Sequence, residues 1–221
     1  MRRSLYRRHY RTLSCTLAAC ALAAALSTPA RAGVPEKGEG TITVLAGWRA
    51  VPQHALMAQL ARDGQEPRHD AFQTGFLVGL GFMPDDDLHV LIDLGYTSDK
   101  FLLKDGDASV KIFNILLSGD TPVIKGQRWT LYLGGGLGYS LNTFSRFGRD
   151  AESNGSAGFV KAGFRWQLSG PVALVIEDRY TVSSADYPEL KSVVNVGGNL
   201  LSVGLHFHFF SPPEKGHPIG P

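Results

Sequence analysis

Residues 201–209 read Leu-Ser-Val-Gly-Leu-His-Phe-His-Phe, a strict alternation that constrains this chain more than any other feature. In an extended strand, Leu201, Val203, Leu205, Phe207 and Phe209 fall on one face, and Ser202, Gly204, His206 and His208 on the other. The period is two, so this segment has no apolar face as a helix. One strand of this kind needs partners on both edges, and the same split recurs along the chain.

About eight alternating segments are predicted. In 41–50, Ile42, Val44, Ala46 and Trp48 oppose Thr43, Leu45, Gly47 and Arg49. In 71–83, Phe72, Phe76, Val78, Leu80 and Phe82 oppose Gln73, Gly75, Gly79 and Gly81. In 88–97, Leu88, Val90, Ile92, Leu94 and Tyr96 oppose His89, Asp93 and Gly95. Segment 108–118 is ambiguous: Lys111 shares the parity of Phe113, Ile115 and Leu117 and must then sit at a rim. In 128–142, Trp129, Leu131, Leu133, Leu137, Tyr139 and Leu141 oppose Tyr132, Gly134, Gly136, Gly138 and Asn142. In 158–168, Val160, Ala162, Phe164, Trp166 and Leu168 oppose Lys161, Gly163, Arg165 and Gln167. In 172–182, Val172, Leu174, Ile176 and Tyr180 oppose Glu177, Arg179 and Thr181, with Asp178 breaking the apolar row. Residues 199–210 close the set. Short links (84–87, 119–127, 169–171) alternate with long ones (51–70, 98–107, 143–157, 183–198).

Residues 1–32 read as an export signal. Arg2, Arg3, Arg7, Arg8 and Arg11 precede the apolar run Leu13–Leu26, and Ala30-Arg31-Ala32 is a small-x-small cleavage site. Leu17-Ala18-Ala19-Cys20 also fits a lipidation box, but the apolar run continues past Cys20 and a better conventional site follows. Six of the 22 basic residues and none of the 20 acidic ones lie in this segment. The remaining 189 residues therefore carry 16 basic and 20 acidic groups, a formal charge of −4, which leaves no case for nucleic acid. Both cysteines, Cys15 and Cys20, lie in it too, so cysteine chemistry and disulfides are excluded from the rest.

Alternation alone does not say which parity faces outward, because a soluble ligand-binding barrel also alternates with its apolar set inside. Three observations favour an apolar exterior. The aromatics sort by depth, with Trp48, Phe76, Tyr96, Tyr139 and Tyr180 toward one rim and Phe82, Trp129, Trp166, Phe207 and Phe209 toward the other, as two membrane–water girdles require. The polar parity mixes glycine with Arg49, Asp93, Lys161, Arg165, Glu177 and Arg179, charges that can pair inside a narrow barrel. Closure also leaves no unpaired backbone edge in hydrocarbon, where each orphan polar group costs several kcal/mol.

Leu131-Tyr132-Leu133-Gly134-Gly135-Gly136-Leu137-Gly138-Tyr139, Val175-Ile176-Glu177-Asp178-Arg179-Tyr180-Thr181 and Val203-Gly204-Leu205-His206-Phe207-His208-Phe209-Phe210 together resemble the small eight-stranded outer-membrane barrels of the OmpA/OmpX type. The resemblance implies an all-β fold, a closed antiparallel transmembrane barrel over 41–210. Residues 1–32 would be a signal peptide, 33–40 an N-terminal periplasmic segment and 211–221 a Pro/Gly-rich periplasmic tail. It implies contact with outer-membrane lipid and lipopolysaccharide, and handling by the outer-membrane assembly machinery through the last strand. No cofactor or metal is expected.

The inward set Arg49, Asp93, Lys161, Arg165, Glu177 and Arg179 reads as a salt-bridged plug, with a narrow pore for small solutes as the alternative. Glu177 is expected to pair with Lys161 or Arg165 across the hairpin at Ser169-Gly170. His206 and His208 share a face but are too few for a tetrahedral zinc site; they read as lumen filling, with His89 on the same parity. Lipid A deacylase barrels of similar size carry His-x-Ser-Asn-Ala near the outer end of the penultimate strand. Here the stretch is Thr181-Val182-Ser183-Ser184-Ala185, and threonine cannot act as the base. No enzymatic role is expected. His54 to Arg62 has helical spacing, with Leu56 and Leu60 on one side. Arg146, Arg149 and Lys191 are loop cations suited to lipopolysaccharide phosphates. The expected role is structural or surface-interacting, through the outer loops.

Overall fold

The computed structural model describes residues 38–51, 54–69, 73–187 and 192–209. The expected signal segment, its cysteines, Phe72, Lys191 and the tail lie outside the described residues. Among the described residues, ten strands and one helix follow in order: β1 Gly40–Val51, α1 His54–Arg62, β2 Arg68–His69, β3 Thr74–Asp85, β4 Leu88–Leu103, β5 Gly106–Lys125, β6 Trp129–Arg146, β7 Arg149–Ser169, β8 Val172–Tyr187, β9 Ser192–Asn195 and β10 Gly198–Phe209.

Eight of these strands form a ring. Each of β3 to β8 pairs antiparallel with its sequence neighbour, β1 pairs with β3, and β10 pairs with both β8 and β1. The ring has no open edge, which removes the cost of unpaired backbone in hydrocarbon. The two remaining strands are short extensions at one end: β2 pairs with β4 at Arg68↔Leu102 and His69↔Phe101, and β9 pairs with the end of β8. Among the described residues no helix is long and apolar enough to cross a membrane, so any crossing is by strands.

The side chains resolve which parity faces out. Leu80, Ile92, Ile115, Leu117, Leu137 and Val160 are between 45% and 75% exposed on the outer wall, while Asp93, Asp120, Lys161, Glu177 and Arg179 are at most 5% exposed inside. Between the aromatic girdles, Trp129 to Tyr139 on β6 spans ten residue steps. At about 3.3 Å per residue and a tilt near 40–45° this is roughly 25 Å, the height of the apolar band of such barrels.

The strands do not stop at the upper girdle. The segments expected as long loops at 98–107, 143–157 and 183–198 are mostly strand, closed by short turns at Lys104-Asp105 and Phe147-Gly148. The sheet thus projects past the upper girdle, and among the described residues the long connection is that between β1 and β3, which carries α1. The reason lies in the inward parity. Beyond Asp99 it turns apolar, and Phe101, Leu103, Ala108, Val110, Ile112, Phe144, Ala185, Tyr187, Val194 and Val196 pack into one core. That core keeps the strands paired past the upper girdle. α1 covers it, with Leu56 and Leu60 fully buried in the mouth. At about 1.5–3 kcal/mol per buried aliphatic side chain, these two leucines supply most of the hold on so short a helix.

Candidate functional site

The lumen is the candidate site, and sheet register builds it. Asp120 on β5 pairs with Gly134 on β6, which pairs with Lys161 on β7. Glycine in the middle leaves room, and the Lys161 ammonium reaches the Asp120 carboxylate across it at 3.0 Å. The same device recurs one strand on. Tyr132, Gly163 and Glu177 lie in register on β6, β7 and β8, and the Tyr132 hydroxyl donates to Glu177 at 3.0 Å. A Cβ at Gly163 would overlap the Tyr132 phenol, so the site needs glycine there.

From these two bridges the network spreads. Arg179 donates to Glu177 at 2.9 Å and to Asp93 at 3.0 Å, and Ser118 donates to Asp93 at 2.9 Å. Lys161 also approaches Glu177 at 3.7 Å, and Arg165 lies 3.6 Å from Asp120 while stacking over Tyr132 at 4.7 Å. Three carboxylates therefore meet three cations in the barrel centre. The cavity left between them is about 10 Å³, lined by Thr43, Leu45, Asp93, Asp120, Tyr132 and Arg179 among others. That is space for about one water. Nearer the projecting end, Arg49 pairs with Asp99 and donates to Thr97.

At the opposite end three imidazoles stack. The His89 and His206 rings lie 5.4 Å apart, and those of His206 and His208 4.5 Å apart, both edge-on. Thr41 and His89 Nε2 are 2.6 Å apart, as are Thr43 and His206 Nδ1, and His89 Nδ1 faces Asp120 at 3.3 Å. His208 Nδ1 lies 3.5 Å from Glu39. Among the described residues no cluster of three or more His, Cys, Asp or Glu is arranged to hold a metal ion.

No family model matches the chain, and no curated protein matches it. Solved structures do. Neisserial surface protein A aligns with a TM-score of 0.55 at 19% identity, over 78% of this chain and 98% of that one. The outer membrane protein OprG from Pseudomonas aeruginosa aligns with a TM-score of 0.53 at 16% identity, over 80% of this chain and 98% of that one. The fold is that of the small eight-stranded outer-membrane β-barrels.

Within that barrel, all six charges expected inside the lumen are there. Two further members, Asp120 and Asp99, are absent from the sequence-derived set. Both fall in segments that the sequence reads as links, 119–127 and 98–107, and that are mostly strand in the structure. The signal was present, because Asn114, Ser118 and Asp120 continue one parity. Glu177 does approach Lys161, but its shorter contact is with Arg179, two residues along its own strand. Arg165 pairs with Asp120 instead.

The girdle residues Trp48, Phe76, Phe82, Tyr96, Trp129, Tyr139, Trp166 and Tyr180 are 39–50% exposed on the outer wall. Phe207 departs from expectation: it is 7% exposed although its parity is outward. Phe209 is partly exposed. Asp178 faces outward and exposed, in register with Ala162 and Leu201. Lys111 is exposed two residues beyond Phe113, at the rim as its parity required. Thr181 and Ser183 are buried inside the barrel, and the lumen histidines His89, His206 and His208 lie at its other end.

Proposed function

We propose that this chain is an exported, non-enzymatic outer-membrane barrel whose lumen is closed and whose work is done by the end that projects from the bilayer. The observation that carries this is the balanced charge network, which leaves about 10 Å³ at the barrel centre and about 20 Å³ beside His89 and Arg165. Moving a solute through would require separating buried ion pairs, each costing about 3–5 kcal/mol when one member is left uncompensated. The apolar core under α1 is a second barrier.

The non-enzymatic reading is supported by the penultimate strand. Thr181 stands where a deacylase barrel has its histidine, and Ser183 points into the wall of the lumen rather than toward lipid. Export through the Arg-rich leader with cleavage after Ala32, and insertion through the terminal strand, complete the reading.

Reconstitution in planar bilayers tests it. The refolded protein is expected to leave conductance at the level of bare lipid. Steady single-channel openings would replace this reading with that of a narrow pore. Mass spectrometry of lipid A from cells with and without the protein is expected to show one acylation pattern.

A further inference from the structure

A groove of about 280 Å³ opens on the outer wall above the upper girdle, between the β4–β5 hairpin and the β6–β7 turn. Its polar lining is Lys100, Asp107, Ser109, Ser145 and Arg146, and its apolar walls are Leu102 and Phe147. Neither Lys100 nor Arg146 has an ion-pair partner among the described residues, and the buried Nε of Arg146 has no hydrogen-bond partner.

Phe147 is the unusual member. It sits at φ 51° beside Gly148 at φ 75°, so both central residues of the turn are left-handed. That is a type I′ hairpin, for which Asn or Gly is the ordinary choice. A bulky residue there is strained, and such strain persists where the side chain serves a purpose. The Phe147 ring is 59% exposed, with the Arg146 guanidinium 4.7 Å from its centre.

Height and chemistry select the occupant. Lys100 lies four residues beyond Tyr96, and Ser145 six beyond Tyr139. At about 3.3 Å per residue and a 40° tilt, the groove spans roughly 10–15 Å above the girdle, from the level of lipid head groups outward. Two unpaired cations suit a phosphate, and hydroxyls, a carboxylate and an aromatic wall suit a sugar ring. Asp107 disfavours a bare anion. Resting on the outer-membrane orientation proposed above, we infer that the groove binds the phosphorylated saccharide head of lipopolysaccharide. Lys100 and Arg146 hold the phosphate, and Phe147 walls the sugar.

The test uses the full barrel folded in detergent, with heat-modifiable gel migration confirming the fold. The probes are purified lipopolysaccharide, the same lipid after phosphatase treatment, and inorganic phosphate as competitor. Lys100→Gln with Arg146→Gln is expected to weaken lipopolysaccharide binding tenfold or more, as is dephosphorylation. Lys125→Gln, at the other end, should change nothing. Phe147→Asn, which suits the turn better, is expected to weaken binding several-fold without loss of fold. Equal binding by the double variant, or by the dephosphorylated lipid, would overturn the assignment. Full displacement by millimolar phosphate would overturn the saccharide occupant in favour of a free anion. If the unmodified protein showed no heat-modifiable migration, the membrane reading itself would fall, and the groove's occupant with it.

Discussion

Asp120 faces Lys161, Arg165 and His89 at once, at 3.0, 3.6 and 3.3 Å. Replacing it with Asn keeps the volume and removes the charge, leaving two buried cations without their main counterion. Asp120→Asn is expected to destabilise the barrel by about 3–5 kcal/mol, read from urea unfolding in detergent. Gly163→Ala should act on the same network by steric means, expelling the Tyr132 phenol from its seat and breaking its bond to Glu177. Its signature would be a lowered unfolding midpoint with altered near-ultraviolet ellipticity from the tyrosine. At this scale the sequence was legible in parity but not in pairing. Glu177 and Arg179 were identifiable as inward neighbours. That Asp120 and Lys161 meet over Gly134 depends on a register across three strands, which no single segment encodes.

α1 shows the same division at the scale of an element. The spacing of Leu56 and Leu60 foretells the helix, and it forms over His54–Arg62. What it packs on is set by residues 40 to 140 positions away: Phe101, Ile112, Phe144, Tyr187 and Val196. The projecting strands are hidden in the sequence for a related reason. Segments such as 98–103 keep period two, but their inward members change from polar to apolar at Phe101, which reads as a break in pattern when lipid is taken to set the outward face. Leu56→Ala with Leu60→Ala should release the helix, because each truncation removes about 2–5 kcal/mol of core packing. Hydrogen exchange is expected to quicken in 54–62 and in the outer ends of β5 and β8. The membrane-spanning parts of the same strands should keep their protection. Uniform loss along the whole ring would show that the mouth and the barrel are one cooperative unit.

At the scale of the whole molecule, the chain is inverted between two solvents. Around the bilayer, charge and glycine face the axis and Leu, Ile and Val face out. Above it, the axis itself becomes apolar. Both arrangements follow from placing each side chain against the medium it meets, and closure of the ring by β10 on β1 makes the first of them tolerable in hydrocarbon. The central claim is that the aromatic-bearing wall touches lipid. All three tryptophans of the sequence, Trp48, Trp129 and Trp166, stand on that wall at 39–50% exposure, one near the upper girdle and two near the lower. Their fluorescence in bilayers of brominated phospholipid measures the contact directly. The account predicts strong quenching by bromines near the acyl-chain carbonyls, weaker quenching by bromines at the bilayer centre, and little quenching by aqueous iodide. Insensitivity to brominated lipid, with the tryptophans open to iodide or shielded from both, would contradict it.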